Sequence, residues 1–206
     1  MLGDETVKNL IDNYSFSNVL DIGSGSGEQS NIFIKNHKVV TKFDNSKSRS
    51  FADKDKNIII GDFMNYKFSN KYDLIFCCHV LEHQKNPIDF VKKISEICKD
   101  YGYIAIIVPP AKREFVGGHL SLYTPALLVY QMILAGINCK NVVVNNYGYN
   151  ISAIVKNNKF EISKIELNYD YNDIFKLQEY FPEYIKPSID GSKIGRTSND
   201  FFSDWK

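Results

Sequence analysis

One stretch near the start of the chain constrains its fold more than any other part. Residues 18–29 read Asn-Val-Leu-Asp-Ile-Gly-Ser-Gly-Ser-Gly-Glu-Gln, so an apolar run with one acid breaks into alternating glycines. The apolar run predicts a buried strand, and the residues after Gly27 predict the start of a helix. Glycines at every second position permit positive φ and a close backbone approach to a ligand. The stretch therefore predicts a strand, a tight turn and a helix amino terminus.

The spacing of these glycines narrows the class of ligand. A dinucleotide turn has the pattern G-x-G-x-x-G, whereas here the third glycine comes one residue early, as Gly23, Gly25 and Gly27. Asp21 precedes the turn, and a carboxylate there repels phosphate and attracts a cation. A ligand with an ammonium and a ribose fits better than a pyrophosphate. A turn that binds nothing would have the same glycines, so the rest of the chain must decide.

Length, charge and cysteine usage restrict the class of protein. A chain of 206 residues suits one domain with a substantial core. Its 25 Lys and Arg nearly balance 24 Asp and Glu, which argues against nucleic acid or an anionic membrane as a partner. The sequence shows no signal-peptide pattern and no apolar run of about 20 residues. The chain has four cysteines without C-x-x-C spacing: Cys77, Cys78, Cys98 and Cys139. This usage favours a reducing compartment, so we expect a soluble cytoplasmic protein.

Strands and helices alternate along the first three quarters of the chain. Predicted helices span 4–14, 28–36, a short stretch from Ser46, a segment from Pro87 to Tyr101-Gly102, and 124–135; predicted strands span 18–23, 37–44, 57–61, 71–80, 103–108, 139–144 and 150–155. This alternation predicts an α/β fold, a doubly wound Rossmann-like sheet with right-handed crossovers. The short connection at Asn146-Tyr147-Gly148 makes the last two strands an antiparallel pair.

Polar residues follow several of these strands at the edge where α/β sheets bind ligands. Asp44, about twenty residues after the first glycine, is placed to accept ribose hydroxyls, although it would also cap a helix from Ser46. Asp62-Phe63 would clamp an adenine, the acid at its amine and the ring over its face, unless Gly61-Asp62 is only a turn. The polar loop at 111–122 follows the fifth strand, where substrate contacts are expected.

The regular pattern stops at Lys156. Residues 169–181 mix acids and aromatics and predict a helix ended by Pro182, and residues 188–206 are rich in Ser, Gly and Asp. We therefore divide the chain into a ligand-binding domain, 1–160, and an irregular or helical extension, 161–206. The extension is a candidate lid or interface, which allows a homodimer.

These pieces, in this order, resemble the class I S-adenosylmethionine-dependent methyltransferases, in particular the small-molecule group called methyltransferase type 11. Residues 19–27 match the first motif, Asp44 the ribose acid, Asp62-Phe63 the adenine side, and 72–75 with 79–83 the fourth-strand motif. Tyr101-Gly102-Tyr103 stands where the family commonly has two glycines. The resemblance covers roughly residues 15–156 and implies a seven-stranded sheet whose last two strands are antiparallel.

The resemblance also implies S-adenosylmethionine as cofactor and a methyl transfer by one in-line displacement, in which catalysis is mostly alignment plus removal of a proton. The cofactor contacts that we predict come from the strand ends and turns: Asp21, Gly23, Ser24, Gly25, Gly27, Gln29, Asp44, Asn45, Asp62, Phe63, Cys78 and His79.

The identity of the base stays open between two places. His119 is like a histidine that precedes a Tyr/Phe-Thr-Pro helix start in related enzymes acting on sugars and other small acceptors, and we favour it for O-methylation. His79 and His83, which flank Glu82, are the second possibility. Some relatives place acids and a histidine here near a divalent metal, but His79 replaces one of the acids, so we predict no metal.

The class of methyl acceptor is narrowed by excluding nucleic acids. Pro109-Pro110 follows the fifth strand rather than the fourth, so it is not the motif of amino-methylating nucleic-acid enzymes, and the sequence has no basic stripe. We expect O-methylation of a small polar metabolite, saccharide-linked or phosphorylated, with contacts from Lys112, Arg113, His119 and Tyr123. The alternatives are N-methylation, a non-catalytic cofactor-binding subunit, and a nicotinamide-dependent oxidoreductase, which the early third glycine disfavours.

Overall fold

The computed structural model describes residues 2–45, 58–112, 114 and 116–185. The predicted helix from Ser46, the contact at Arg113 and the segment 188–206 lie outside these residues. The strands are β1 (Asn18–Ile22), β2 (Val39–Asp44), β3 (Ile58–Ile60), β4 (Tyr72–Cys78), β5 (Cys98–Val108), β6 (Val143–Tyr147) and β7 (Asn150–Lys156). The α-helices are α1 (Asp4–Asn13), α2 (Glu28–Lys35), α3 (Pro87–Ile97), α4 (Pro125–Leu134) and α5 (Asp173–Lys176).

The seven strands form one sheet in the order β3-β2-β1-β4-β5-β7-β6. Strands β1 to β5 pair in parallel, and β7 runs antiparallel between β5 and β6. The prediction of a doubly wound, mostly parallel sheet with an antiparallel pair at its end is confirmed. Because Ile22 of β1 pairs with Phe43 of β2 and Cys77 of β4, the carboxyl ends of these three strands meet at one edge.

Alternate side chains of the central strands bury on opposite faces of the sheet, as the two-residue period of a strand requires. On one face, Leu74 and Phe76 of β4 pack with Val7 and Leu10 of α1 and with Phe33 of α2. The other face carries the larger cluster, in which β-strand residues pack with α3 and α4. The core thus holds the central strands rigidly and leaves their carboxyl ends for the site.

The helix α3 ends at Ile97, four residues earlier than predicted, and Tyr101-Gly102 lies within β5. Tyr101 has φ +60°, and a Cβ at Gly102 would meet the carbonyl oxygen of Asp73 at 2.8 Å. The register of β4 against β5 shifts between Tyr72 and Leu74, so these residues form an irregularity in the strand. Sequence reasoning took the glycine for a helix end, whereas the close approach of a neighbouring strand requires it.

The hairpin and the tail also differ from their predictions. The turn of the hairpin is Gly148-Tyr149, and β6 begins at Val143, because the apolar residues from Cys139 are buried before the strand starts. Between 169 and 181 the chain forms only α5 and a single 3-10 turn at Gln178–Tyr180. Leu177 and Phe181 nevertheless lie in the larger core cluster, so the described part of the tail packs on the sheet domain.

Candidate active site

The glycine turn after β1 adopts the conformation that its sequence predicts. Gly23, Gly25 and Gly27 have φ of +75°, +51° and +78°, and α2 begins at Glu28. A Cβ at Gly23 would lie 2.2 Å from Val80 Cγ2, so packing requires that glycine. A Cβ at Gly25 would meet no described atom within 4 Å. Gly25 therefore faces open space at the carboxyl edge of the sheet.

Asp44 reaches the same turn from the end of β2. Its carboxylate accepts a hydrogen bond from the Gly25 amide at 2.9 Å, and only 9% of the residue is exposed. The bond places the acid directly beside the open space over Gly25. Ser24, in the same turn, is 4% exposed, and its hydroxyl has no hydrogen-bond partner among the described residues. A buried hydroxyl in this state is costly unless a ligand supplies the partner.

Asp21 lies beneath the turn on β1 and is 2% exposed. Its carboxylate accepts a hydrogen bond from the Ser30 hydroxyl of α2 at 2.5 Å. Burial raises the pKa of the Asp21 carboxyl to about 6, against the opposing effects of Ser30 and the Lys42 ammonium. At neutral pH Asp21 is therefore an anion in a poorly hydrated place, which a bound cation would stabilise.

Three further residues that we predicted to contact the cofactor lie around the same sheet edge: Gln29, Asn45 and Cys78. Gln29 donates from its side chain to the Leu2 carbonyl at 2.6 Å and so ties α2 to the start of the chain. Asn45 is exposed directly after β2. The Cys78 thiol lies at the end of β4, where a Cβ at Gly3 would be 3.1 Å from its sulfur, and burial raises its pKa. The start of the chain thus covers the end of β4.

The expected adenine clamp is corrected in part. Phe63 is 6% exposed, because its ring packs against Phe43, Phe68 and Phe90 in the core. Its face is therefore occupied by protein and does not cover a nucleobase. Asp62 accepts from the Met64 amide and the Asn65 side chain and stabilises a turn, so it serves the alternative that the sequence left open. It remains at the sheet edge, next to β3.

His79 has both ring nitrogens engaged. The side-chain amide of Asn150 donates to the Tyr147 carbonyl at 3.3 Å, so its oxygen faces Nε2 of His79, 2.9 Å away, and accepts a hydrogen bond. Nδ1 of His79 lies 3.4 Å from Oε1 of Glu82. Burial lowers the pKa of His79, but the Glu82 carboxylate and the bond to Asn150 outweigh this and raise the pKa above its ordinary value. His79 therefore contacts the Glu82 carboxylate on one side and Asn150 on the other.

Glu82 is the most deeply buried acid at this edge. It lies in the 3-10 turn Leu81–His83 and is 0% exposed. No described group is in hydrogen-bonding geometry with either oxygen of its carboxylate. Its main-chain carbonyl accepts from the amides of Leu120 at 2.7 Å and Ser121 at 3.3 Å, so the loop after β5 is attached to it.

His83 and His119 meet on the open side of Glu82. Nδ1 of His83 bonds to the Gly118 carbonyl at 2.7 Å, and the His83 and His119 rings lie edge to face with centroids 4.9 Å apart. Each of Glu82, His83 and His119 offers a ligand atom within 4.8 Å of the other two. A Cβ at Gly118, where φ is +84°, would lie 3.2 Å from Nδ1 of His83. The loop thus brings His119 to the residues that follow β4.

Two predicted substrate contacts can be located. Lys112 places its ammonium 4.2 Å above the centroid of the Tyr149 ring, next to the hairpin that holds Asn150. Tyr123 is 0% exposed, and its hydroxyl donates to the Gln131 side chain at 3.1 Å, so a contact with substrate would require a change in this packing. Burial raises the Tyr123 pKa. Tyr123 instead anchors the start of α4.

Sequence reasoning missed two members of this arrangement. Glu82 entered only as part of a motif, although a lone acid between apolar residues and a histidine is the available signal for a buried carboxylate. Asn150 had no signal, because only the antiparallel return of β7 beside β5 brings it to His79.

The fold and the site together define a class of enzyme. Residues 3–129 match the methyltransferase domain family, and the chain belongs to that family. Its fold is that of the S-adenosylmethionine-dependent methyltransferases, which are enzymes with S-adenosylmethionine as cofactor. No curated protein sequence matches the chain.

Solved structures with this fold have low sequence identity to the chain. Human N-acetylserotonin methyltransferase in complex with the cofactor has 16% identity and a TM-score of 0.59, over 75% of this chain and 52% of that enzyme. A Burkholderia thailandensis 1,6-didemethyltoxoflavin-N1-methyltransferase has 13% identity and a TM-score of 0.61, over 77% of this chain and 78% of that enzyme. SibL, an S-adenosylmethionine-dependent methyltransferase, has 12% identity and a TM-score of 0.58, over 76% of this chain and 56% of SibL. The chain thus spans about half the length of SibL and the human enzyme.

Within the described residues, no helix has both the length and the apolar character needed to cross a membrane.

Proposed function

We propose that this protein transfers the methyl group of S-adenosylmethionine to an oxygen of a small polar acceptor. The observation that carries the proposal is the meeting of two features at one sheet edge: the open glycine turn beside Asp44, and the buried Glu82 with His83 and His119. The first offers an acid and open backbone for the ribose and the amino-acid end of the cofactor, and the second can bind and activate a hydroxyl.

The cofactor lies along the turn in this proposal. Its ribose hydroxyls bind the Asp44 carboxylate, and its amino-acid end lies over Gly23 and Gly25, near the Ser24 hydroxyl. Asp21, an anion above pH 6 beneath the turn, favours the positive charge of the cofactor. The partnerless Ser24 hydroxyl supports this placement, since the ligand would supply its missing hydrogen bond.

Methyl transfer from this position is a single displacement. The acceptor oxygen attacks the methyl carbon, the O–C bond forms as the S–C bond breaks, and the sulfur keeps the bonding electron pair, giving S-adenosylhomocysteine. The hydroxyl proton leaves to a group of the site. His119 is the proposed group, because it lies in the loop after β5, where substrate contacts are expected, and because His79 has both ring nitrogens engaged.

The acceptor is proposed to carry an anionic group as well as a hydroxyl. Lys112 lies over Tyr149 beside the hairpin, where its charge is available to a phosphate or carboxylate. A saccharide-linked or phosphorylated metabolite has both features. The balanced charge of the chain, 25 basic against 24 acidic residues, supports a small acceptor over a nucleic acid.

Two measurements test this function. Calorimetry with S-adenosylmethionine should show saturable binding by the full chain, and no binding at millimolar cofactor would reject the enzyme assignment. Release of S-adenosylhomocysteine is then followed with sugar phosphates and hydroxylated acids as acceptors. His119→Ala should retain cofactor binding and lose about 10²-fold in turnover. Cofactor binding without turnover on any acceptor would favour a non-catalytic subunit.

A further inference from the structure

We infer that Glu82, His83 and His119 form a binding site for one divalent first-row transition ion. One carboxylate oxygen and two imidazole nitrogens are a donor set that such ions prefer, and Mg²⁺ does not. The ligand atoms lie within 4.8 Å of one another. This geometry differs from the metal-free site that the sequence predicts.

The orientation of His83 is the first argument. A carbonyl oxygen only accepts, so the 2.7 Å contact with Gly118 requires a proton on Nδ1 of His83. Nε2 of the same ring lies 3.9 Å from Oε1 of Glu82. The bond to Gly118 thus leaves Nε2 as the nitrogen on the Glu82 side, where it is available to an ion that it would share with the carboxylate. A backbone carbonyl that fixes the tautomer is the usual support of a metal-bound histidine.

The state of Glu82 is the second argument. The carboxylate is 0% exposed, and neither oxygen has a hydrogen-bonding partner among the described residues. Nδ1 of His79 lies 3.4 Å from Oε1, so it approaches the carboxylate from one side. Two bonds of about 2.1 Å separate metal ligands by at most about 4.2 Å, and the 3.9 Å between Oε1 of Glu82 and Nε2 of His83 lies within that limit.

The site is open on the side of the loop after β5. His83 is 44% exposed in its side chain, and His119 is partly buried. Three protein ligands leave coordination positions for water or an acceptor oxygen. The catalytic consequence rests on the proposed methyl transfer: a bound ion would lower the pKa of an acceptor hydroxyl so that water takes its proton, and in that case the role of His119 as a ligand replaces its role as the base.

Metal binding is measured without cofactor or acceptor, so its failure is distinct from failure of the methyl transfer. The full-length protein is stripped with a chelator and titrated with Co²⁺, followed by visible absorption and by calorimetry. We expect one Co²⁺ per chain with no thiolate charge-transfer band, because the ligands are nitrogen and oxygen. A thiolate band would place the ion at the cysteines and would overturn the inference.

Three variants locate the ion. Glu82→Gln keeps the shape of the side chain and removes its charge, His119→Gln changes a loop residue on which the core does not depend, and His37→Asn is the control, an exposed histidine at φ +60° that Asn tolerates. Binding should weaken at least 10-fold in each of the first two and stay unchanged in the third. If Glu82→Gln proves unfolded by circular dichroism, His119→Gln decides. The inference would be overturned if His119→Gln bound Co²⁺ as tightly as the wild type. It would also be overturned if the wild type showed no saturable binding at 1 mM Co²⁺, which corresponds to about 4 kcal/mol of binding energy.

Discussion

The carboxylate of Asp44 accepts a hydrogen bond from the amide of Gly25 at 2.9 Å, so the end of β2 and the glycine turn after β1 are joined by one acid. This bond holds the acid proposed to bind the ribose beside the open space over the turn in the absence of a ligand. Preorganisation of this kind lowers the entropic cost of binding.

Asp44→Ala should weaken S-adenosylmethionine binding by about 1.5–3 kcal/mol, because a charge-assisted pair of hydrogen bonds to the ribose is lost. Calorimetry at pH 7.5 measures the difference. Asp12→Ala, which removes an exposed acid from α1, is the matched control and should bind as the wild type does. Unchanged affinity in Asp44→Ala would reject the ribose assignment.

Gly25→Ala should nearly abolish cofactor binding, since the added methyl group enters the space over the turn. Gly148→Ala is a close control, because Gly148 has φ +50° against +51° at Gly25, and neither Cβ would be crowded. Urea denaturation should show a similar loss of about 1–2 kcal/mol in the two variants, from the left-handed backbone alone. Only Gly25→Ala should lose binding, and equal binding in both would show that the turn does not contact the cofactor.

The buried Asp21 should make the protein less stable as the pH rises. The pKa of the Asp21 carboxyl is 3.8 in the unfolded chain and about 6 in the folded protein. Between pH 3.8 and about 6 the folded protein therefore keeps a proton that the unfolded chain has lost. The free energy of unfolding therefore falls from pH 3.8 to about 6 and stays lower above it, by up to about 3 kcal/mol.

Asp21→Asn isolates this effect, because the amide remains a hydrogen-bond acceptor for Ser30 and does not titrate. Denaturation at pH 7.5 should show the variant more stable than the wild type, and at pH 4 the difference should shrink toward zero. Cofactor binding should respond in the opposite way and weaken in the variant at pH 7.5. A difference in stability that is the same at both pH values would contradict the assignment of the shift to Asp21.

Leu177→Ala tests whether residues 161–185 fold with the sheet domain. Leu177 is 0% exposed in the larger core cluster, so its truncation should cost about 2–5 kcal/mol in global unfolding. Phe175→Ala, two residues away and 56% exposed, should cost less than about 1 kcal/mol. A small effect of Leu177→Ala on the main transition would indicate that the tail unfolds separately.

The sheet was predictable because its signals are local. Each buried parallel strand is a short apolar run between helices. The turn is predicted by its alternating glycines, which are the residues that a left-handed backbone favours. Where the prediction failed, a distant part of the chain decided the outcome. Gly102 serves the neighbouring strand at Asp73 rather than a helix end, and the ring of Phe63 found three aromatic partners in the core.

The sequence predicted which residues lie at the strand ends of the candidate site, but it did not predict the contacts that these residues make. The position of Asp44 follows from the end of β2, which the sequence shows. The pairing of His79 with Asn150 depends on a hairpin that returns beside β5, and the burial of Tyr123 depends on the packing of α4. Composition and spacing carry no information about such contacts, because many alternative packings satisfy the same local pattern.

The carbonyl of Glu82 accepts hydrogen bonds from two amides of the loop after β5, so Glu82 also holds that loop against the sheet. The loop that carries His119 cannot lift away from the sheet without breaking the bonds from Leu120 and Ser121 to the very residue whose carboxylate lies in the site. Detachment of this loop would therefore also release the segment that holds His119 beside Glu82. Amide hydrogen exchange at Leu120 would measure how often this loop detaches from Glu82.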